Sequence, residues 1–209
     1  MQKYIFPTAQ KKFFYGLGLS LLFAFLDFDF LSLAAFVYSI VVLFVYRVKQ
    51  VHNVAHNPEE VSLNVSGKVV AIKPSDKEHY EKMVVIESGF LDNGSLIVPM
   101  NSEIKNVSFK RGTRLDKKDF LFTKLNEMLT LTLEKEEKKL AIVHILKKSP
   151  FGLEFFAKEK QKLQVGEIYG YGCCMVTTIY LPEGFSLAIQ LDQKVNAYET
   201  LLGYFPKEN

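Results

Sequence analysis

Cys173 and Cys174, the chain's two cysteines, are neighbours and could be reactive. A thiolate is a nucleophile and a metal ligand, but small buried cysteines are commoner than low-pKa thiolates. Adjacent cysteines close a disulfide only with strain, which excludes a disulfide scaffold, and two cysteines are too few for a cysteine-built zinc site. The histidines are His52, His56, His79 and His144. His52 and His56 have the i, i+4 spacing of a ligand pair, yet they lie in a polar stretch with no third ligand, and zinc needs three or four. His144 sits in an apolar run, residues 141–146, where a hydrogen-bonded structural histidine is expected before a catalytic base. There is no phosphate-binding glycine loop, no His-Glu-x-x-His pair and no nucleophile elbow.

The elements that carry these residues follow from composition. Hydrophobic residues make up 48% of 209, and mean hydropathy is +0.07. The apolar excess is concentrated before residue 47; between residues 13 and 46 the only formal charges are Asp27 and Asp29. Net charge is +3, with no arginine-rich stripe, which argues against nucleic acid and is compatible with an anionic lipid surface.

Residues 13–26 and 30–46 are two apolar runs separated by Asp27, Phe28 and Asp29. A span takes about 20 helical residues, with a lower limit of roughly 17. The second run meets that limit, and the first reaches it only if Lys11 and Lys12 snorkel. Lys3, Lys11 and Lys12 precede the pair and Arg47 and Lys49 follow it, so the positive-inside rule puts both ends in the cytoplasm. The expectation is a membrane hairpin over residues 1–47. A cleaved signal peptide and a helical hairpin buried in a core are the rival readings.

Residues 48–60 read as a polar linker. Beyond it come short β-rich stretches: 61–72, with Gly67 at a bend or bulge, then 83–87, 95–98, 104–109, 128–133, 140–146, 153–157, 175–181 and 185–191. Turn signals such as Asp92-Asn93-Gly94 and Pro182-Glu183-Gly184 separate them, and residues 117–127 alone suggest a helix. Many short strands with frequent punctuation predict a sandwich or barrel.

In order and spacing these features resemble the bacterial phosphatidylserine decarboxylases of the short type. Residues 44–72 track that family's junction and first strand, which ends in Ser-Pro-Ala-Asp-Gly-Lys-Val. Residues 91–99 track its Leu-Asp-Val-His-Val-Asn-Arg-x-Pro, Asn126-Glu127 its Asn-Glu-Arg, and residues 165–205 its last stretch around Phe-Gly-Ser and Leu-Pro. The resemblance covers nearly the whole chain through short blocks. It implies a mostly β, lipoyl or barrel-sandwich-like domain over residues 61–209, preceded by an α-helical membrane hairpin. It also implies a pyruvoyl-dependent carboxy-lyase that cuts itself, using a serine nucleophile, a histidine base and an aspartate.

The departures fall on that machinery. Ser66 stands where the family has its aspartate, Gly94 where it has its histidine, and Met175 where it has its serine. A thioether cannot attack a carbonyl, and glycine cannot take a proton. The implied protein is therefore a membrane-anchored, non-catalytic relative in phospholipid metabolism that binds a lipid or a partner and carries no cofactor. Phosphatidylserine, phosphatidylethanolamine and a protein in the membrane are the implied partners, and the place is the cytoplasmic side of a bacterial inner membrane. One alternative is an active decarboxylase processed at Gly172-Cys173, with a pyruvoyl group. Another is a structural membrane protein that shares only the fold.

Overall fold

The computed structural model describes residues 7–48, 57, 59–136 and 138–206. Most of the expected linker, with His52 and His56, lies outside the described residues. The chain divides into two units, residues 1–50 and 51–209.

The first unit is a helical hairpin, α1 (Pro7–Phe25) and α2 (Asp29–Val45). Proline suits the first turn of α1, where its missing N–H has no partner to lose. Asp27 turns the chain in the left-handed region at φ 58°. Asp29 then opens α2, where a negative charge complements the helix dipole. The helices are stitched by Ser20, whose Oγ donates to the Ser32 carbonyl at 3.0 Å, and by Ser32, whose Oγ donates to the Ser20 carbonyl at 2.9 Å. Gly16 permits this approach, since a methyl group there would lie 2.3 Å from Ser39 Oγ. Tyr15, Leu21, Phe25, Phe30 and Leu33 remain exposed.

The membrane-spanning expectation is corrected here: no described helix is long and apolar enough to cross a membrane. α1 has 19 residues, but Gln10, Lys11 and Lys12 occupy its early turns. α2 is apolar but has 17 residues. At 1.5 Å per residue it rises about 26 Å, short of the roughly 30 Å hydrocarbon core. The hairpin is real; the transmembrane and membrane-anchor assignments are not supported.

In the second unit the strands run β1 (Glu60–Ser62), β2 (Gly67–Pro74), β3 (Lys82–Glu87), β4 (Ser95–Ile97) and β5 (Ser102–Lys110). The short α3 (Phe122–Leu125) precedes β6 (Met128–Lys135), β7 (Lys138–Leu146), β8 (Glu154–Phe155), β9 (Lys162–Leu163) and β10 (Ile168–Tyr171). β11 (Met175–Leu181), β12 (Ser186–Leu187), β13 (Lys194–Val195) and β14 (Leu201–Tyr204) complete it. Eight strands form one antiparallel sheet in the order β13-β2-β3-β11-β7-β6-β5-β9, and two three-stranded sheets run β1-β14-β12 and β4-β10-β8. The unit is mostly β as expected. The eight-stranded sheet replaces the lipoyl or barrel-sandwich expectation, because the consecutive hairpins β2-β3 and β5-β6-β7 join through β11 into one long sheet.

Strand alternation explains burial on both faces. Leu140, Ile142 and Leu146 of β7 and Met175, Ile179 and Leu181 of β11 enter the main core. Ala141, Val143 and Ile145, with Val176 and Tyr180, enter a smaller cluster on the other face, with Phe122 of α3. Gly67 starts β2 instead of bending a run, since a Cβ there would lie 2.5 Å from the Glu87 carbonyl oxygen. The helix expected over 117–127 shrinks to the four residues of α3. Asp116 and Asp119 cap local turns through the N–H groups of Lys118 and Leu121. Asn126 leaves the helix in an extended conformation to make buried hydrogen bonds.

Candidate functional site

The central strands β3, β11 and β7 share one end. Glu87, the last residue of β3, pairs with Val176, and Leu146, the last of β7, pairs with Met175. The segments just beyond are tied together by backbone bonds: Lys147 N–H to the Cys174 carbonyl at 2.8 Å and Ser88 N–H to the Met175 carbonyl at 2.9 Å. Register therefore brings Glu87, Lys147 and Cys174 to one level.

A cavity of about 690 Å³ opens at this end. Lys117, Lys118, Lys147 and Lys148 line it, with Glu87, Asp116, Phe90 and Cys174. Asn126 fixes the loop that delivers the first two lysines. Its Oδ1 accepts from Leu115 N–H at 2.9 Å, and its Nδ2 donates to the Leu146 carbonyl at 2.7 Å, beside the start of the Lys147 segment. Glu87 receives Lys147 Nζ at 2.5 Å and Lys117 Nζ at 2.8 Å. Burial pushes the Glu87 carboxyl up, but these two lysines outweigh it and hold the group below its usual range. Four cationic side chains against two carboxylates leave an excess of positive charge that suits an anion, and a lysine serves a phosphate as a mobile point charge.

Ser66, Gly94 and Met175, the positions that the resemblance singles out, lie near the same strand ends. Gly172 N–H donates to the Gly94 carbonyl at 2.9 Å. A Cβ on Gly172 would lie 2.9 Å from Met175 Sδ. Met175 reaches Ser66 through Ser88, whose Oγ donates to the Ser66 carbonyl at 2.6 Å. Ser66 Oγ itself accepts from Ala197 N–H at 3.0 Å, so it is a backbone tie. Gly94 has no room for a side chain: a Cβ would lie 2.5 Å from Tyr171 Cε2 and 2.8 Å from the Gly172 carbonyl oxygen. Cys173 is buried, at 2% exposure. The hydrogen bond to Cys174, with burial, pushes its thiol up. These residues do not fit a pyruvoyl group, since the serine position is a thioether and the base position is filled by the Tyr171 ring.

His144 lies on the core face of β7, directly opposite Thr177 of β11. It is fully buried. Asn64 Nδ2 donates to Tyr169 Oη at 3.1 Å, which leaves the Tyr169 hydroxyl free to donate to His144 Nε2 at 2.8 Å. In that tautomer His144 Nδ1 donates to Thr177 Oγ1 at 2.8 Å. Burial lowers the His144 pKa to about 3, so the ring is neutral and both nitrogens are engaged. This is the structural histidine that the apolar run implied. Asn64 Oδ1 is buried with no hydrogen-bond partner among the described residues. His79 is an exposed turn residue at φ 68°.

Sequence reasoning missed the lysine cavity and Tyr169. The pairs Lys117-Lys118 and Lys147-Lys148 were visible, but only the fold brings them together across some thirty residues. No protein-family model matches the chain, and no curated protein matches it.

Proposed function

We propose that the β domain is a non-processing relative of the phosphatidylserine decarboxylases that binds the phosphate-bearing headgroup of a phospholipid in the lysine cavity. The observation that carries this reading is the cavity itself: about 690 Å³, cationic, and walled by Cys174 next to Met175. That volume falls in the range of small-molecule sites. Phe90 adds an apolar wall. The convergence of Ser66, Gly94, Gly172 and Met175 supports the decarboxylase-like part of the reading; Met175 and Gly94 supply neither the nucleophile nor the base for self-cleavage, and the Ser66 hydroxyl is held by Ala197 N–H. In this reading the headgroup site, and not a spanning helix, makes the lipid contact.

The test is binding and mass together on the full-length protein. Glycerophosphoserine and glycerophosphoethanolamine should bind and be displaced by inorganic phosphate, and affinity should fall as salt rises. The purified chain should have its unprocessed mass, and lysates should not decarboxylate phosphatidylserine above background. Saturating headgroup with no binding sinks the ligand. Two fragments split at Gly172-Cys173 sink the non-processing part.

A further inference from the structure

Consecutive side chains on a strand point to opposite faces. Cys173 and Cys174 escape that rule because they form the turn between β10 and β11. Cys174 takes φ 58°, a left-handed conformation uncommon for a residue with a Cβ. The turn brings the two sulfurs to 3.6 Å.

Their surroundings differ. Cys173 is buried, while Cys174 is partly exposed and lines the cationic cavity. When Cys174 is ionised, only the Cys173 thiol can donate between the two sulfurs. That bond, with the charge of Lys147, outweighs burial and the opposing charge of Asp92 and lowers the Cys174 pKa to about 7. The other charged groups around the cavity are Glu87, Asp116, Lys117, Lys118 and Lys148. One sulfur is thus an accessible nucleophile, and the other is a protected thiol poised behind it.

We propose that Cys174 is a site of reversible oxidation by a peroxide, and that Cys173 is its resolving thiol. The Cys174 thiolate attacks one oxygen of hydrogen peroxide. An S–O bond forms as the O–O bond breaks, and the departing hydroxide takes up a proton as water. The Cys173 sulfur then attacks the Cys174 sulfenic sulfur. The S–S bond forms, the S–O bond breaks, and the hydroxide leaves with the Cys173 proton as a second water. Two thiols lose two electrons and the peroxide gains them. Consecutive Cα atoms are about 3.8 Å apart, closer than the roughly 4.4–6.8 Å of ordinary disulfides, so the cross-link is strained and easily reduced. That suits a reversible modification and not a scaffold.

The test treats the full-length protein with hydrogen peroxide at neutral pH and reads intact mass and peptide maps. The wild type should lose two hydrogens within one chain and regain them with dithiothreitol. Cys173→Ala should stop at a Cys174 sulfenic acid that dimedone captures, and Cys173→Ser should do the same. Cys174→Ala should leave Cys173 unreacted over the same time. Iodoacetamide labelling of Cys174 should rise with a midpoint near pH 7. In Cys173→Ala the midpoint should move upward, because the donor is gone. Cross-links only between chains, first capture at Cys173, or equal overoxidation of Cys174 with and without Cys173 would each overturn the proposal. None of these readouts depends on headgroup binding, so either idea can fail alone.

Discussion

β7 and β11 lie side by side and carry two polar clusters with opposite properties. In their middle, His144 and Thr177 face the core, and a histidine ends up neutral with both nitrogens occupied. Past their shared end, Lys147 and Cys174 face a cavity, and a cysteine is tuned toward thiolate. The same two strands thus make one inert ionisable group and one reactive one. Distance from the strand end sets the surroundings, because water and unbalanced charge reach one cluster and not the other.

Acid tests that contrast most severely. The His144 pKa is about 3 in the fold against 6.5 in the unfolded chain. Above pH 6.5 both states are neutral and the ring adds nothing to the pH dependence. Below it the unfolded chain takes up the proton first, and stability should fall by about 1.4 kcal/mol per pH unit until the folded ring itself titrates. Urea unfolding between pH 6 and pH 5 isolates this slope, since Cys174 titrates near pH 7 and ordinary carboxylates titrate lower. A flat profile there would mean that the ring is not sealed in the core. Next in size is His144→Leu, which strands the Tyr169 hydroxyl and the Thr177 hydroxyl. About 2–4 kcal/mol of stability should be lost, and the slope above pH 5 should vanish with the ring.

Gly94→His asks whether the position where the resembled family carries its base has room for one. With Tyr171 and the Gly172 carbonyl in the way, the variant should lose about 1–3 kcal/mol, as overpacked sites do. Combined with Met175→Ser it should still give one uncut chain on a denaturing gel; cleavage would show that the Tyr171 ring yields. The smallest expected effect is at the cavity. Lys147→Met should weaken phosphate binding about tenfold by titration calorimetry, roughly 1.4 kcal/mol, while leaving the His144-linked pH slope unchanged. Loss of both would merge two clusters that the structure separates.

Much of the β domain was legible in the chain itself. The runs at 128–133, 140–146 and 175–181 became β6, β7 and β11, because β-branched and apolar residues there alternate or fill both faces of a sheet. His144 was legible as structural for the same reason. β10 was not, because Ile168–Tyr171 is short and holds a glycine, so Tyr169 went unnoticed. The lysine pairs form no motif, so nothing in the chain order marks them as one site. The apolar segment before residue 47 read as a membrane hairpin, whereas its helices stop at 19 and 17 residues.

What the sequence determined by itself was local: an apolar helical hairpin before residue 47, strands behind it, and a serine, a glycine and a methionine at positions 66, 94 and 175. Periodicity and residue identity act over a few neighbours and survive without the fold. The tertiary structure alone decided which lysines share a cavity, that Tyr171 fills the space beside Gly94, and that two adjacent sulfurs meet. Those outcomes depend on register between β3, β7 and β11 and on one left-handed residue, Cys174. Register and backbone sign come from the packing of the whole sheet, so they bring together residues that the chain order keeps apart.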